Sequence, residues 1–364
     1  MSELPLPLSL SALTPEFISE RLAAGGRDVD VASVSVKPLG GFSGLMGEVA
    51  NIELIYAGDV DLPAIMIGKC PLDDDMARMY NQVMNSYKRE NGFYRDLADE
   101  VPMTVPEAFV NEYDEESGRG VLLIEKIEGT AGDILDPPDI GMYETLVTQL
   151  GTMHGQFWLS PIYRDLDWAI DWTLPSLRLG IPIIQEAWPG MRAKQPDMAP
   201  VEILDFFERT WVYDTEKWLD IVAERPWTMI HGDYEFDNIV FGADGPVILD
   251  WQTPMMSMAG GDLAWFLGLG ASDESIAEED ALLDAYLGAF TGAGGPAWSR
   301  DELLDDAASS LQFHCTSAAA TLNSMIDGGL PPEDRGRRRF EKMLSGMMGC
   351  AVRWNVLDRV TDPG

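Results

Sequence analysis

Two apolar runs joined by a turn, each bounded by an oxygen-bearing side chain, constrain this chain more than any other feature. From Met229 to Leu267 the sequence reads MIHGDYEFDNIVFGADGPVILDWQTPMMSMAGGDLAWFL. Ile239-Val240-Phe241 and Val247-Ile248-Leu249 flank Gly-Ala-Asp-Gly-Pro, a pattern that predicts a hairpin. Asn238 stands where the first strand begins and Asp250 where the second ends, and in an antiparallel pair those ends are neighbours. Asp233, in the triplet His231-Gly232-Asp233, lies five positions before Asn238. The expectation is that one amide and one carboxylate meet beside a second carboxylate.

An amide oxygen and a carboxylate suit a hard cation such as Mg²⁺, which keeps waters and takes its other oxygens from substrate phosphates. Phosphoryl transfer needs that arrangement plus a carboxylate to orient the attacking hydroxyl. Taken alone, an HxD triplet also suits half of a metal-hydrolase site, and an aspartate after a strand is often a turn residue. His-Gly-Asp with Asn238, then Ile-Leu-Asp-Trp, then Gly-Asp-Leu-Ala (261 to 264), resembles the catalytic core of the aminoglycoside phosphotransferase and choline kinase group. The wording FGADGPVILDWQ is most similar to its ecdysteroid-kinase-like branch.

The resemblance implies an α+β, bilobed protein-kinase-like fold and an enzyme that uses ATP and Mg²⁺. It casts Asp233 as catalytic base, Asn238 and Asp250 as metal ligands, and Asp262 as the brace of the catalytic loop. His231 reads as a structural support, since no imidazole base is needed once Asp233 accepts the proton. Glu235 departs from the apolar residues usual in relatives and either faces solvent or touches substrate.

Charge narrows the partners. With 61 acidic and 25 basic residues the net charge is −36, which repels nucleic acid and anionic membranes. The acidity either draws a cationic substrate or reflects solubility and a saline habitat. Three cysteines without metal spacing fit a reducing cytoplasm. The amino-terminal residues lack a basic region, and no apolar run is long enough for a membrane span. A monomer or weak dimer is expected.

Along the chain, Thr14-Pro15 and Gly25-Gly26 predict the two ends of a helix. Val31 to Leu39 and Glu48 to Tyr56 read as strands around a glycine-rich connection that includes Gly41, Phe42, Ser43 and Gly44, a candidate phosphate cradle. It lacks the Gly-Lys-Ser/Thr of a P-loop. Ala64 to Lys69 reads as a strand with Ile65, Ile67 and Lys69 on one buried face. Met76, Tyr80, Val83, Tyr87, Glu90, Tyr94 and Leu97 form one helical stripe. A carboxylate inside such a stripe is costly unless paired, so Lys69 and Glu90 are expected to form an ion pair. The resemblance gives that lysine the ATP phosphates. Gly120 to Ile127 is an apolar strand which the resemblance makes the hinge, with backbone near Glu125 and Ile127 meeting adenine.

A lobe boundary at Gly129-Thr130 is expected, giving a nucleotide-binding lobe over 1–128 and a catalytic and substrate lobe over 129–364. Leu146, Leu150, Met153 and Phe157 mark a helix face, and His154 beside it reads as a core histidine. Six tryptophans between 163 and 227 either wall an acceptor pocket or pack helices. Three helices follow, over Glu274 to Phe290, Asp301 to Ile326 and Glu333 to Val360. The basic cluster Arg335, Arg337, Arg338, Arg339 reads as a solvated face paired with surplus acid. The expected activity is transfer of the γ-phosphoryl group of ATP to a small-molecule hydroxyl, of a sterol-like or aromatic alcohol first. An aminoglycoside, a choline-like amino alcohol, or a non-catalytic pseudokinase are the alternatives.

Overall fold

Thr14 caps the first helix as predicted: its hydroxyl accepts the Phe17 amide at 3.2 Å, and α1 spans Pro15–Ala24. Gly26, at φ +83°, turns the chain out of it. The computed structural model describes residues 4–39, 47–72, 81, 84–171, 178, 181–212 and 215–360. The glycine-rich stretch Gly41, Phe42, Ser43 and Gly44 lies outside the described residues, as do Met76, Tyr80 and Val83 of the helical stripe. The chain divides into two compact units, Met1–Gly129 with Gly242–Thr253, and Thr130–Phe241 with Pro254–Gly364.

The first unit is built on a five-stranded antiparallel sheet of order β1-β2-β3-β5-β4. Its strands are β1 (Val31–Pro38), β2 (Gly47–Tyr56), β3 (Ile65–Pro71), β4 (Ala108–Asp114) and β5 (Arg119–Glu125). One face packs with α1 into a core of Phe17, Ile18, Leu22, Ile52, Met66, Cys70, Val121 and Leu123. Helix α2 (Ser86–Asp96) packs against β4 and β5 and buries Tyr87, Glu90 and Tyr94. On β3 the deep core face is Met66, Gly68 and Cys70, while Ile65 and Ile67 are only half-buried. Lys69 therefore lies on the half-buried face, because Gly68 admits Ile52 and Leu10 so closely that the core forms behind the other. Gly47 is required by space: a Cβ there would fall 1.5 Å from the Tyr87 hydroxyl and 2.6 Å from the Cys70 carbonyl.

In the second unit, α3 (Ile140–Gln156) buries Leu146, Leu150 and Met153 on the predicted face. The strand β6 (Gly129–Ala131) precedes it. Helices α4 (Ile181–Lys194), α5 (Val201–Phe207) and α6 (Thr215–Ala223) follow, with a π-helical turn over Glu208–Val212. Next, β7 (Thr228–Ile230) leads into the His231 loop, and β8 (Ile239–Gly242) and β9 (Gly245–Ile248) form at the two predicted apolar runs. β10 (Met255–Ser257) pairs antiparallel with β7, Met255 opposite Ile230, and α7 (Ala259–Leu269) starts two residues later. That pairing delivers the amino terminus of α7 beneath the His231 loop. Of the three predicted final helices, the first is split by Glu278 into α8 (Asp273–Ala277) and α9 (Glu279–Gly292). The second is α10 (Arg300–Asp327). Asn355, left-handed at φ 52°, separates α11 (Arg335–Arg353) from α12 (Val356–Arg359). Among the described residues no helix is long and apolar enough to cross a membrane.

Candidate active site

In the first unit, Lys69 projects from β3 and is 6% exposed; Glu90 on α2 is 1% exposed. The ammonium donates to the Glu90 carboxylate and, at 2.8 Å, to Asp250 Oδ1. Gln252 Nε2 donates to the other Glu90 oxygen at 3.1 Å. Burial by itself would lower the pKa of Lys69, but the charges of Asp250 and Glu90 outweigh it and hold the ammonium above its usual range. Burial raises Glu90, Lys69 opposes that, and the charge of Asp250 adds to the rise.

Asp250 directly follows the second apolar run and adopts φ +61°, a left-handed conformation rare in residues other than glycine. It is held there by its neighbours. Trp251 stacks on Phe93 with ring centroids 3.9 Å apart and planes 4° from parallel, and its indole donates to Ile248 O. The strained residue is the one whose carboxylate reaches Lys69, as strain at functional sites leads one to look for. Two carboxylates share one ammonium, so the cluster retains negative charge and suits a divalent cation whose remaining ligands come from phosphate oxygens. Among the described residues no group of three or more His, Cys, Asp or Glu side chains is placed to hold a metal ion. Of the expected hinge residues, Glu125 ends β5 with its amide donating to Glu107 O at 2.8 Å, and Ile127 lies two residues beyond, half-buried.

In the second unit, the loop from His231 to Asn238 is tied down from beneath. Asp262, buried in the first turn of α7, accepts the His231 amide at 2.6 Å and the Gly232 amide at 2.9 Å. Gly232 sits at φ +82°, which explains a glycine between His231 and Asp233. The His231 ring, fully buried, accepts the Asp233 amide on Nδ1 at 3.2 Å. Burial would raise the Asp262 pKa, but hydrogen bonding and charge from His154, the charge of His231, and the Gly232 amide bring it below the usual carboxylate value. His154 lies 3.5 Å from Asp262 through Nε2, and its Nδ1 pairs with the Tyr286 hydroxyl at 2.7 Å. It is a core histidine, as read, but one aimed at the brace.

Asn238 ends a 3₁₀ turn and directs its amide nitrogen to Asp233, to the backbone oxygen at 2.9 Å and to Oδ2 at 3.0 Å. The other end of its amide is the oxygen a hard cation binds. Trp265 Nε1 donates to Asp233 Oδ1 at 3.0 Å. Sequence reasoning missed this tryptophan, although it lies one helical turn after Asp262 and so shares its side of α7.

Within the arginine cluster, the partnership of Arg339 was missed as well. Glu235 is 1% exposed and pairs with Arg339, which also donates to Asp237 Oδ2 at 3.1 Å. Arg335 reaches Asp133 at 3.0 Å, and the Ile134 amide donates to Asp237 Oδ1 at 2.9 Å. The basic end of α11 is therefore paired with acid, as expected, and Arg335 and Arg338 stay exposed, while Arg339 turns inward and fastens the loop. Burial, with the charge of Asp233, pushes the Glu235 carboxyl well above its usual value, against Arg339.

The sequence profile of the phosphotransferase enzyme family matches residues 77–304, well over half of the chain, and the chain belongs to that family. It is thus a small-molecule kinase, an enzyme that phosphorylates hydroxyl groups. Comparison with curated proteins gives no significant match. Among solved structures, choline kinase from Cryptosporidium parvum Iowa II is similar over 89% of this chain and 91% of its own, at 13% identity and a TM-score of 0.51. Spectinomycin phosphotransferase, in complex with ADP and spectinomycin, is similar over 94% and 99%, at 10% identity and a TM-score of 0.52. Amicoumacin kinase, in complex with AMP-PNP, Ca²⁺ and Ami, is similar over 85% and 87%, at 12% identity and a TM-score of 0.53. At such identities the likeness establishes the fold, kinase-like and α+β.

Proposed function

We propose that the chain is an ATP- and Mg²⁺-dependent O-phosphotransferase whose acceptor is an apolar alcohol, sterol-like or aromatic. The observation that carries the nucleotide part is the buried Lys69 ammonium held between Glu90 and Asp250. A cation fixed on a sheet, beside surplus negative charge, is what a triphosphate with a divalent ion requires. Lys69 holds α- and β-phosphate oxygens, Glu90 fixes Lys69, and Asp250 is the metal ligand of the first unit. Gly41, Phe42, Ser43 and Gly44 cradle phosphate, and backbone at Glu125 and Ile127 receives adenine. The second unit offers Asn238 as ligand and Asp233 as base, with His231 and Asp262 holding the loop. Bound Mg²⁺ neutralises developing charge on the phosphates. As the acceptor oxygen forms its bond to the γ-phosphorus, the bond from that phosphorus to the β-phosphate oxygen breaks, ADP leaves, and the hydroxyl proton passes to Asp233.

The acceptor class rests on different observations. Glu235 and Asp237, the carboxylates nearest Asp233 in sequence, are engaged by Arg339, so they are not open to a polyamine. Trp168, Trp188, Trp211 and Trp218 are buried and pack the unit, whereas Trp265, beside Asp233, is only half-buried. An apolar acceptor agrees with the ecdysteroid-kinase-like wording FGADGPVILDWQ. The test is ADP release with MgATP over a sterol, an aromatic alcohol, an aminoglycoside and choline, each at low and high salt. An apolar alcohol should be turned over with weak salt dependence, whereas a polycation would show a strong one. Turnover of the aminoglycoside alone would replace the acceptor class. Wild-type turnover by Asp233→Asn would overturn the mechanism.

A further inference from the structure

Asp233 carries its carboxylate on a short side chain whose terminal torsion is broad and roughly two-fold. A single donor would fix one oxygen and leave the other free to swing. Here the two oxygens are held by different elements: Asn238 Nδ2 donates to Oδ2 at 3.0 Å from within the loop, and Trp265 Nε1 donates to Oδ1 at 3.0 Å from α7. The indole is itself fixed. It sits one turn from Asp262, which anchors the His231 and Gly232 amides, and it packs against the His314 ring of α10 with centroids 4.9 Å apart and planes tilted by 50°. Both His314 ring nitrogens are buried with no hydrogen-bond partner among the described residues. Burial pushes the His314 pKa down to about 4, so the ring behind the indole is an uncharged wall at neutral pH.

We propose that Trp265 is a positioning residue for the phosphoryl transfer: its indole N–H sets the plane of the Asp233 carboxylate, and thereby the direction from which the acceptor hydroxyl must arrive. The proposal rests on Asp233 being the base. Its energetic basis is alignment, since a misplacement of about 1 Å in a reacting group costs on the order of 100-fold in rate. A phenylalanine at 265 keeps an aromatic ring on that side of α7 and removes the N–H donor together with one ring of the indole.

Two measurements on the full chain test this. The sequence holds 11 tryptophans, so a nitrogen-15 correlation spectrum carries an indole signal from each, and Trp265→Phe identifies its own by deletion. Asp233→Ala should move that signal upfield, as expected for an N–H that loses a carboxylate acceptor. In steady-state hydrolysis of MgATP, where water stands in for the acceptor, Trp265→Phe should lower kcat by about 10- to 100-fold and leave KM for ATP within about twofold. A purely structural role would not separate kcat from KM in this way. An indole signal that Asp233→Ala leaves in place overturns the proposal, as does a wild-type kcat in Trp265→Phe beside an inactive Asp233→Ala. A wild-type rate in Asp233→Ala removes the base assignment, and the positioning role with it.

Discussion

Replacing Lys69 by methionine isolates the electrostatic core of the first unit. Methionine fills most of the lysine's volume but leaves Glu90, 1% exposed, without its ammonium. Removing one partner of a buried ion pair typically costs roughly 3–5 kcal/mol. Two features set the value near the lower end. Gln252 still donates to Glu90 at 3.1 Å, and Asp250, whose side chain is 38% exposed, is screened by water and adds little. The loss should depend on pH. Burial and Asp250 already raise Glu90 above the ordinary glutamate value of 4.5, with Lys69 opposing them. Without Lys69 the folded-state value rises further, so the native state binds a proton that the unfolded chain releases. Stability then falls as pH rises from about 4.5 through the folded-state pKa. Lys69→Met should accordingly be near wild type at pH 5 and lose about 3 kcal/mol at pH 8. Trp251 is the one tryptophan in Met1–Gly129 and Gly242–Thr253, so its indole signal in a urea titration follows this unit. Adding Glu90→Gln should recover most of the loss. A Lys69→Met variant as stable as wild type at pH 8, with no pH dependence, would refute the buried-pair reasoning.

Arg339→Met should destabilise the second unit by about 2–4 kcal/mol in urea unfolding, because it strands Glu235; Arg339→Met with Glu235→Gln should restore most of that. Gly232→Ala forces an alanine to φ +82° and should cost about 1–2 kcal/mol, with a larger fractional loss of activity because Asp233 is the next residue. Asp262 has a depressed pKa, so its contribution is fully present above the ordinary carboxylate value of 3.8 and is lost as pH falls through the lower folded-state value. Hydrogen exchange of the Gly232 amide should stay protected at pH 5 and weaken only as the pH falls below the ordinary carboxylate value of 3.8. Asp262→Asn should remove that protection at pH 7.

Much of this was legible because local rules and tertiary demands agree. The cap at Thr14, the α3 stripe and the placement of Glu90 in an apolar face follow from periodicity and the cost of burying charge. The Lys69 and Glu90 pair follows from the same cost, since neither group is tolerable alone. What periodicity could not reach was sidedness and long-range partnership. Period two gives Ile65, Ile67 and Lys69 one face, but which face meets the deep core was decided by Gly68 admitting Ile52 and Leu10. Arg339 and Glu235 are 104 positions apart, and nothing in a run of arginines names the acid that will bury them. Trp265 was nearer to hand, three positions from Asp262, yet an indole in an apolar helix reads as packing until its N–H has an address.

The twelve residues Gly242–Thr253 belong to the first unit although the chain has by then built half of the second. During synthesis the β1 to β5 sheet emerges whole, yet Phe93 has no Trp251 to lie against and Lys69 lacks Asp250 until more than a hundred further residues have been added. A ribosome stalled shortly after Gly129 would therefore expose an unfinished aromatic face, and a fragment cut at that point should be sticky where the full chain is not.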